Sequence, residues 1–577
     1  MLRRLCYLLA AASLSVSAEP DFIIHNAAIT DFDGESYSAI AVTRDTISAI
    51  GDSEGLLALR DHDTQIIDAR GRRLIPGLND SHLHVVRGGR FYNLETRWDG
   101  IDSLEEGLAL IREQAARTPE GQWVRVIGGW TPFQFRERRM PTVAELNEAA
   151  PDTPVFVLFL YSGGLLNEAG MQALGIDANS EAPAGSRFER DSDGRPTGVL
   201  VADPNPAVLY QTIARLPPMN AEQQLSSTRH FYRHLLSLGV TSAVDAGGGG
   251  HSFPEDYAAT AELAARGELS LRVSAYLFPQ EPGRELQQFT DWMNRFDADM
   301  HLTDDGSYVI EGGGELLVWS ASDYENFTAE RPELAARAEQ ELDAVVRLHV
   351  RNGWPFRIHA TYDESISLML DVLEAIDDDM PLASVRWAFD HAETISDANL
   401  ARVKALGGGI AVQGRMAFAG EYFVERYGAE QARRSPPLRR MLDLEIPVAL
   451  GTDGTRVASF NPWDAYYWAV TGRSLGGLLL YDEDNILDRL TALRLFTQGS
   501  AWLSGDEARK GALEVGMLAD LAVLDRDILA IDAEELRATQ ATLTLVGGKV
   551  VYSSGELVPA TGALPPALPA WSPVNFQ

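Results

Sequence analysis

Alternation of apolar and polar positions marks both ends of the chain. DFIIHNAAITDF and AIAVTRDTISAIG near the start, and LADLAVLDRD and TLTLVGGKVVYSSGEL near the end, are β-branched and bounded by Gly, Asp or Asn. This pattern predicts short antiparallel strands, so both termini are expected to build one β domain. Between them the pattern changes to eight short apolar runs: Arg73 to His84, Val240 to Asp245, Leu271 to Leu277, Tyr308 to Glu311, Phe356 to His359, Val385 to His391, Gly409 to Gln413 and Val448 to Asp453. Stretches such as RPELAARAEQELDAVVRLHVRNG and SISLMLDVLEAIDDDM separate many of these runs, with apolar residues recurring at three and four, the spacing of a helix face. Strand alternating with helix implies parallel pairing, and eight such units predict an α/β fold, a closed (β/α)8 TIM barrel. The segment at about 87–234 is too long for one connection and has strand-like runs of its own, WVRVIGGW and PVFVLFLYSGG; an inserted lobe is expected there. The predicted division is 19–72 with 508–560 for a composite β-sandwich, 73–507 for the barrel and 561–577 for an extended Pro-rich tail.

Composition narrows the partners. At 577 residues the chain exceeds one ordinary domain, yet one large barrel with appendages fits the length. A formal charge of −34 argues against nucleic acid or an anionic membrane, because the average field repels phosphate. A small-molecule substrate is the expected partner, and a homodimer is compatible with the sequence. Residues 1–18, MLRRLCYLLAAASLSVSA, combine two arginines, an apolar core too short to span a bilayer, and small residues ending at Val16-Ser17-Ala18. That is the pattern of a cleaved secretory signal, so a periplasmic or extracellular location is expected, with no stable membrane insertion after cleavage. Cys6 lies inside this segment and is the sole cysteine, which leaves the mature chain no thiol for a disulfide, nucleophile or metal ligand.

The candidate chemistry begins at LIPGLNDSHLHVV, where His82 and His84 stand two apart and, on a strand, face one side. Other polar residues close later strands: Glu311 the fourth, His359 the fifth, His391 the sixth and Asp453 the eighth. The C-terminal strand ends of a barrel share one rim, so these positions are expected to converge. Imidazoles and carboxylates without sulfur suit a catalytic zinc with an open water position, although manganese, iron or nickel also fit the donor set. His-x-His alone is a weak motif; the ordered series is what carries the reading. The remaining histidines receive no role. Loops after strands seven and eight, QGRMAFAGEYF and GTRVASFNPWDAYYWAV, offer Arg415 and Arg456 to hold a substrate carboxylate. Their aromatics either line an apolar slot or pack the barrel rim. Trp130, in GGWTPFQF, is expected to close the pocket with the inserted lobe.

These motifs resemble the metal-dependent amidohydrolase superfamily, and within it the branch of N-substituted formamide deformylases and exoenzyme regulators. IPGLNDSHLH resembles the first-strand signature of that branch, RDSDGRPTGVL its inserted lobe, LGVTSAVDAGG the second strand, RIHATYD the fifth, FDHAETI the sixth, ALGTDG the eighth, and GALEVGMLADLAVLD the return to the β domain. The resemblance implies one or two divalent metals, Zn2+ foremost, and hydrolysis of amide, N-acyl or cyclic C–N bonds by a metal-activated water. It implies His82, His84, Glu311, His359, His391 and Asp453 as ligands, with Asp453 as proton carrier and His391 as polarising group. The same site would serve an esterase, a lactonase, a dipeptidase or a non-catalytic metal-binding regulator. Two departures stand out. Relatives often carry a carbamylated lysine on the fourth strand, but the lysines here are Lys404, Lys510 and Lys549, none on that strand. A glutamate is expected to take its place, Glu311 being favoured as the end of its strand; the alternatives are Glu315 in its place, or a single-metal site with Glu311 as an acid behind the ligands. Where relatives present a histidine in the lobe, this chain has Gly163 and Gly164.

Overall fold

The computed structural model describes residues 19–203, 205–324 and 327–576; the expected signal segment with Cys6 lies outside the described residues. The alternating ends form two four-stranded sheets. One contains Phe22–Thr30, Ser36–Thr43, Thr46–Gly51 and Gln65–Asp68, and the other Leu74–Pro76, Leu521–Leu524, Ala541–Val546 and Lys549–Ser553. Their inward positions, among them Ile24, Ile40 and Ile67 from the first and Leu521, Val523 and Leu543 from the second, share one core. Each such side chain contributes about 1.5–3 kcal/mol on burial, so neither sheet is self-sufficient without the other.

The eight barrel strands are Leu78–Leu83, Val240–Asp245, Arg272–Leu277, Tyr308–Gly313, Phe356–Ala360, Trp387–His391, Gly409–Gln413 and Val448–Gly451, hydrogen-bonded in chain order. Every pair along this path is parallel. Just past the last strand the cylinder closes: the Asp453 N–H donates to the His82 carbonyl at 2.8 Å, and the His84 N–H to that of Gly454 at 3.0 Å. Parallel strands are covered on both faces, which is why they read as near-continuous apolar runs.

Two runs differ from expectation in ways that matter. Arg73 to His84 is two strands: Leu74–Pro76 belongs to the sandwich, and the chain enters the barrel after Gly77, where a Cβ would lie 2.1 Å from Thr241 Oγ1. The fourth run continues through Glu311 to Gly313. In the inserted segment, Val124–Ile127, Val155–Phe159, Gly163–Leu166, Ser186–Arg190 and Pro196–Ala202 form a five-stranded sheet with its own apolar cluster. The helix Ala221–Ser237, capped by Asn220 and Gln223, then leads back to the second barrel strand. The tail ends in a short turn, Pro573–Phe576, with Arg117 stacked over the Phe576 ring at 4.2 Å. Among the described residues no helix is long and apolar enough to cross a membrane.

Candidate metal centre and substrate cavity

Six side chains meet where the barrel strands end. Glu315 Oε2 lies 2.9 Å from His359 Nδ1, 3.0 Å from His391 Nε2 and 3.7 Å from His82 Nε2, while Oε1 is 3.8 Å from His84 Nε2. Asp453 Oδ1 stands 3.2 Å from His84 Nε2 and 3.6 Å from His82 Nε2, and Oδ2 is 3.9 Å from His391 Nδ1. Three overlapping groups result: His82, His391 and Asp453; His82, His84 and Glu315; Glu315, His359 and His391, each with ligand atoms within 4.8 Å of one another.

The carboxylate in this cluster belongs to Glu315, and Glu311 is elsewhere. The glycines after Glu311 are strand and close contact, not loop: a Cβ on Gly312, Gly313 or Gly314 would meet Pro355 O at 2.0 Å, His349 Nε2 at 2.3 Å or Arg357 O at 2.5 Å. The fourth strand therefore presses against the fifth and ends later. Beyond Gly314, Glu315 is pinned at the rim, its N–H donating to Ala246 O (3.1 Å) and its carbonyl accepting from the His359 N–H (2.9 Å). Glu311 is 3% exposed and bonds to Ser274, and burial pushes its carboxyl up to about 8.

Further residues orient the cluster. His84 Nδ1 is 2.7 Å from the Gly247 carbonyl, which can only accept, so the proton sits on Nδ1 and Nε2 faces the centre with its lone pair. Asp390 Oδ1 lies 3.1 Å from His82 Nδ1 and is itself ion-paired to Arg357, whose Nη1 donates to the Ser81 carbonyl. Asp323 Oδ1 is 3.3 Å from His359 Nε2 and accepts from the Thr361 N–H. Asp80 ties the first strand to the eighth by accepting from the His82 and Thr452 N–H groups; burial raises its carboxyl to about 6. His391 and Asp453 hold φ of 79° and 59°, left-handed values that cost a side-chain-bearing residue about 1–3 kcal/mol. Strain of this kind concentrates at functional sites.

The electrostatics agree with a cation site. Burial alone would raise the Glu315 carboxyl, but His82 and the hydrogen bonds from His359 and His391 hold it well below its usual range. For His391, burial, Arg415 and His359 depress the imidazole. His82 Nε2 and His391 Nδ1 are buried with no hydrogen-bond partner among the described residues, although both face the cluster. Unsatisfied imidazole nitrogens beside carboxylate oxygens, with no sulfur, fit a borderline divalent cation such as zinc.

Above the cluster opens a cavity of about 620 Å³, with His84, Glu315, His359, His391 and Asp453 on its floor. Tyr161, Tyr210, Phe278, Leu316, Trp319 and Tyr324 form much of the wall. The residues expected to bind substrate are not part of it. Trp130 is fully buried, stacked on Phe135 and donating its indole N–H to the Leu158 carbonyl, because the lobe uses it as core. Arg415 is committed to Glu393 and Thr361, its Nη1 3.9 Å from Asp453 Oδ2. Arg456 lies behind the wall, its guanidinium 5.1 Å from the Tyr210 ring centre. Phe418, Trp463, Tyr466 and Tyr467 are buried packing residues. Arg87, Tyr161, Tyr210, Asp323 and Asp390 were not expected at the site; only FDHAETI, with Asp390 beside His391, held any local signal.

Comparison with known proteins agrees with this fold. The sequence model described as "Amidohydrolase family" matches residues 65–552. An N-substituted formamide deformylase of Arthrobacter pascens is 26% identical over 549 residues, spanning 92% of this chain and 98% of that one. Among solved structures, an uncharacterized metal-dependent hydrolase from Pyrococcus horikoshii superposes with a TM-score of 0.64 at 22% identity, over 89% of this chain and 99% of that one. The zinc complex of atrazine chlorohydrolase TrzN from Arthrobacter aurescens does so with a TM-score of 0.52 at 16% identity, over 94% and 97%. At such identities the structural likeness speaks for the fold.

Proposed function

The chain belongs to the amidohydrolase family, and on that premise we propose that it hydrolyses the C–N bond of a small amide, N-acyl compound or cyclic amide. The observation that carries this reading is the convergence of four imidazoles, Glu315 and Asp453 beneath one cavity. His82, His84 and Asp453 would hold one cation, and Glu315, His359 and His391 would hold a second. Zinc is the first choice, from the donor set and from the neighbour solved with zinc. Such a cation, when bound, acidifies water and polarises a carbonyl.

The chain's own residues do the rest. Asp453 Oδ2, the oxygen turned away from His84, takes the proton that water gives up as its oxygen bonds to the substrate carbonyl carbon. Asp453 then delivers that proton to the nitrogen as the C–N bond breaks. Nδ1 of His391, 3.9 Å from this oxygen, is positioned to donate toward the developing oxyanion when protonated there. The aromatic wall excludes water and orients the acyl group. Export of the mature chain belongs to the same reading, resting on residues 1–18.

The test is metal analysis of the purified protein together with a hydrolysis screen of formamides, N-acyl amino acids, hydantoins and lactones. Cleavage of C–N substrates, lost on chelation and restored by zinc, is expected. Cleavage of lactones alone, or amide turnover indifferent to chelation, would overturn the reading.

A further inference from the structure

Arg87 lies three residues beyond His84 on the short helix Val85–Phe91, is 2% exposed and lines the cavity beside His84 and Asp453. Tyr161 hydrogen-bonds to it and Asp453 acts on it from farther off, but its Nε and Nη2 are buried without a hydrogen-bond partner, and no described carboxylate forms an ion pair with it. Four other arginines held inside this chain face an acid: Arg97 pairs with Glu95 and Asp99, Arg272 with Asp520, Arg357 with Asp390, and Arg415 with Glu393, whereas buried Arg125 and Arg456 form no ion pair with a described carboxylate and lie outside the cavity. A buried charge without an ion pair is costly, and among the described residues Arg87 is the arginine in this state that lines the cavity over the cluster.

We propose that Arg87 is a carboxylate subsite, so that the substrate is an amide bearing a carboxylate close to the C–N bond that is cleaved. This rests on the hydrolase reading above and narrows its substrate class. Proximity to the cluster follows from Gly248: a Cβ there would lie 3.2 Å from Arg87 Nη1 and 3.4 Å from His84 Nδ1, so guanidinium and ligand imidazole flank the same backbone. The free Nε and Nη2 edge is the fork that accepts a carboxylate through two parallel hydrogen bonds. Tyr161 and Tyr210, stacked with ring centres 5.6 Å apart, wall the cavity next to it, and Arg456 braces Tyr210 from behind while adding a second positive charge. Phe278, Leu316 and Trp319 supply an apolar side for the rest of the molecule.

The experiment titrates the zinc-loaded protein with benzoate, benzamide and inorganic phosphate by calorimetry, for wild type, Arg87→Gln and Arg87→Lys. Benzoate is expected to bind wild type about tenfold or more tighter than benzamide, the worth of a charge-assisted hydrogen-bonded pair. Arg87→Gln should erase that preference at unchanged zinc content, and Arg87→Lys, which keeps the charge, should retain part of it. Equal benzoate affinity in wild type and Arg87→Gln, no preference over benzamide in wild type, or phosphate binding that is tighter than benzoate and is lost in Arg87→Gln would each overturn the subsite. A parallel screen pairs N-acyl amino acids with their carboxamides. Arg87-dependent benzoate binding without cleavage of any amide would sink the hydrolase reading and leave the subsite standing. Cleavage that favours the neutral partners would do the reverse.

Discussion

Glu315 Oε2 sits 2.9 Å from Nδ1 of His359, which brings the carboxylate beyond the fourth strand and the imidazole of the fifth onto one centre. Glu315→Gln is therefore expected to weaken metal binding by more than the roughly 10–100-fold typical of losing an outer partner, measured by chelator competition. Glu311→Gln should leave metal affinity unchanged. The opposite ranking would move the site back along the strand.

Glu311 predicts a pH effect on stability instead. Its folded pKa, about 8, lies above the ordinary 4.5, so the fold favours the protonated form. The stability this provides is complete below about pH 4.5 and is lost as pH rises through 8, at up to about 1.4 kcal/mol per pH unit. Glu311→Gln removes the ionisation and should raise the thermal midpoint at pH 8 while changing it little at pH 5. A midpoint lowered equally at both values would contradict this.

Asp453→Asn preserves size and some ligand character but removes the proton acceptor. Turnover should fall about 10²–10⁴-fold with zinc content retained, as expected for loss of a general acid–base group. Near-normal kcat in a zinc-replete variant would end the assignment of Asp453.

The Asp390 carboxylate, 3.1 Å from His82 Nδ1, fixes which nitrogen of that ring faces the centre. Asp390→Asn should lower zinc affinity roughly 10–100-fold. It also leaves buried Arg357 without its counter-charge, so a lower thermal midpoint is expected alongside. Unchanged zinc affinity in the destabilised variant would make Asp390 purely structural.

Legibility from sequence followed the range of each signal. The barrel strands, His82, His84, His359, His391 and Asp453 lie in runs whose period or position in a repeating unit announces them. Glu315 was harder because glycines ordinarily punctuate strands, whereas Gly312 to Gly314 extend one by letting Pro355 and Arg357 approach. Trp130 looked like a lid because an aromatic between breakers can face either way; only the packing of Phe135 and Phe159 around it decides. Arg87 was missed for a related reason. Nothing local shows that a buried arginine lacks a partner, since its partner could stand anywhere in the chain.

The sandwich that joins the two ends of the chain has a cost in biosynthesis. Ile24 and Ile40 emerge long before Leu521 and Leu543, which cover the apolar face they belong to. At ordinary elongation rates of roughly 5–20 residues per second, that sticky sheet waits on the order of a minute for its mate. The nascent polypeptide thus needs a chaperone or rapid passage to its destination, and shortening the gene at its far end should yield aggregates, not a smaller working enzyme.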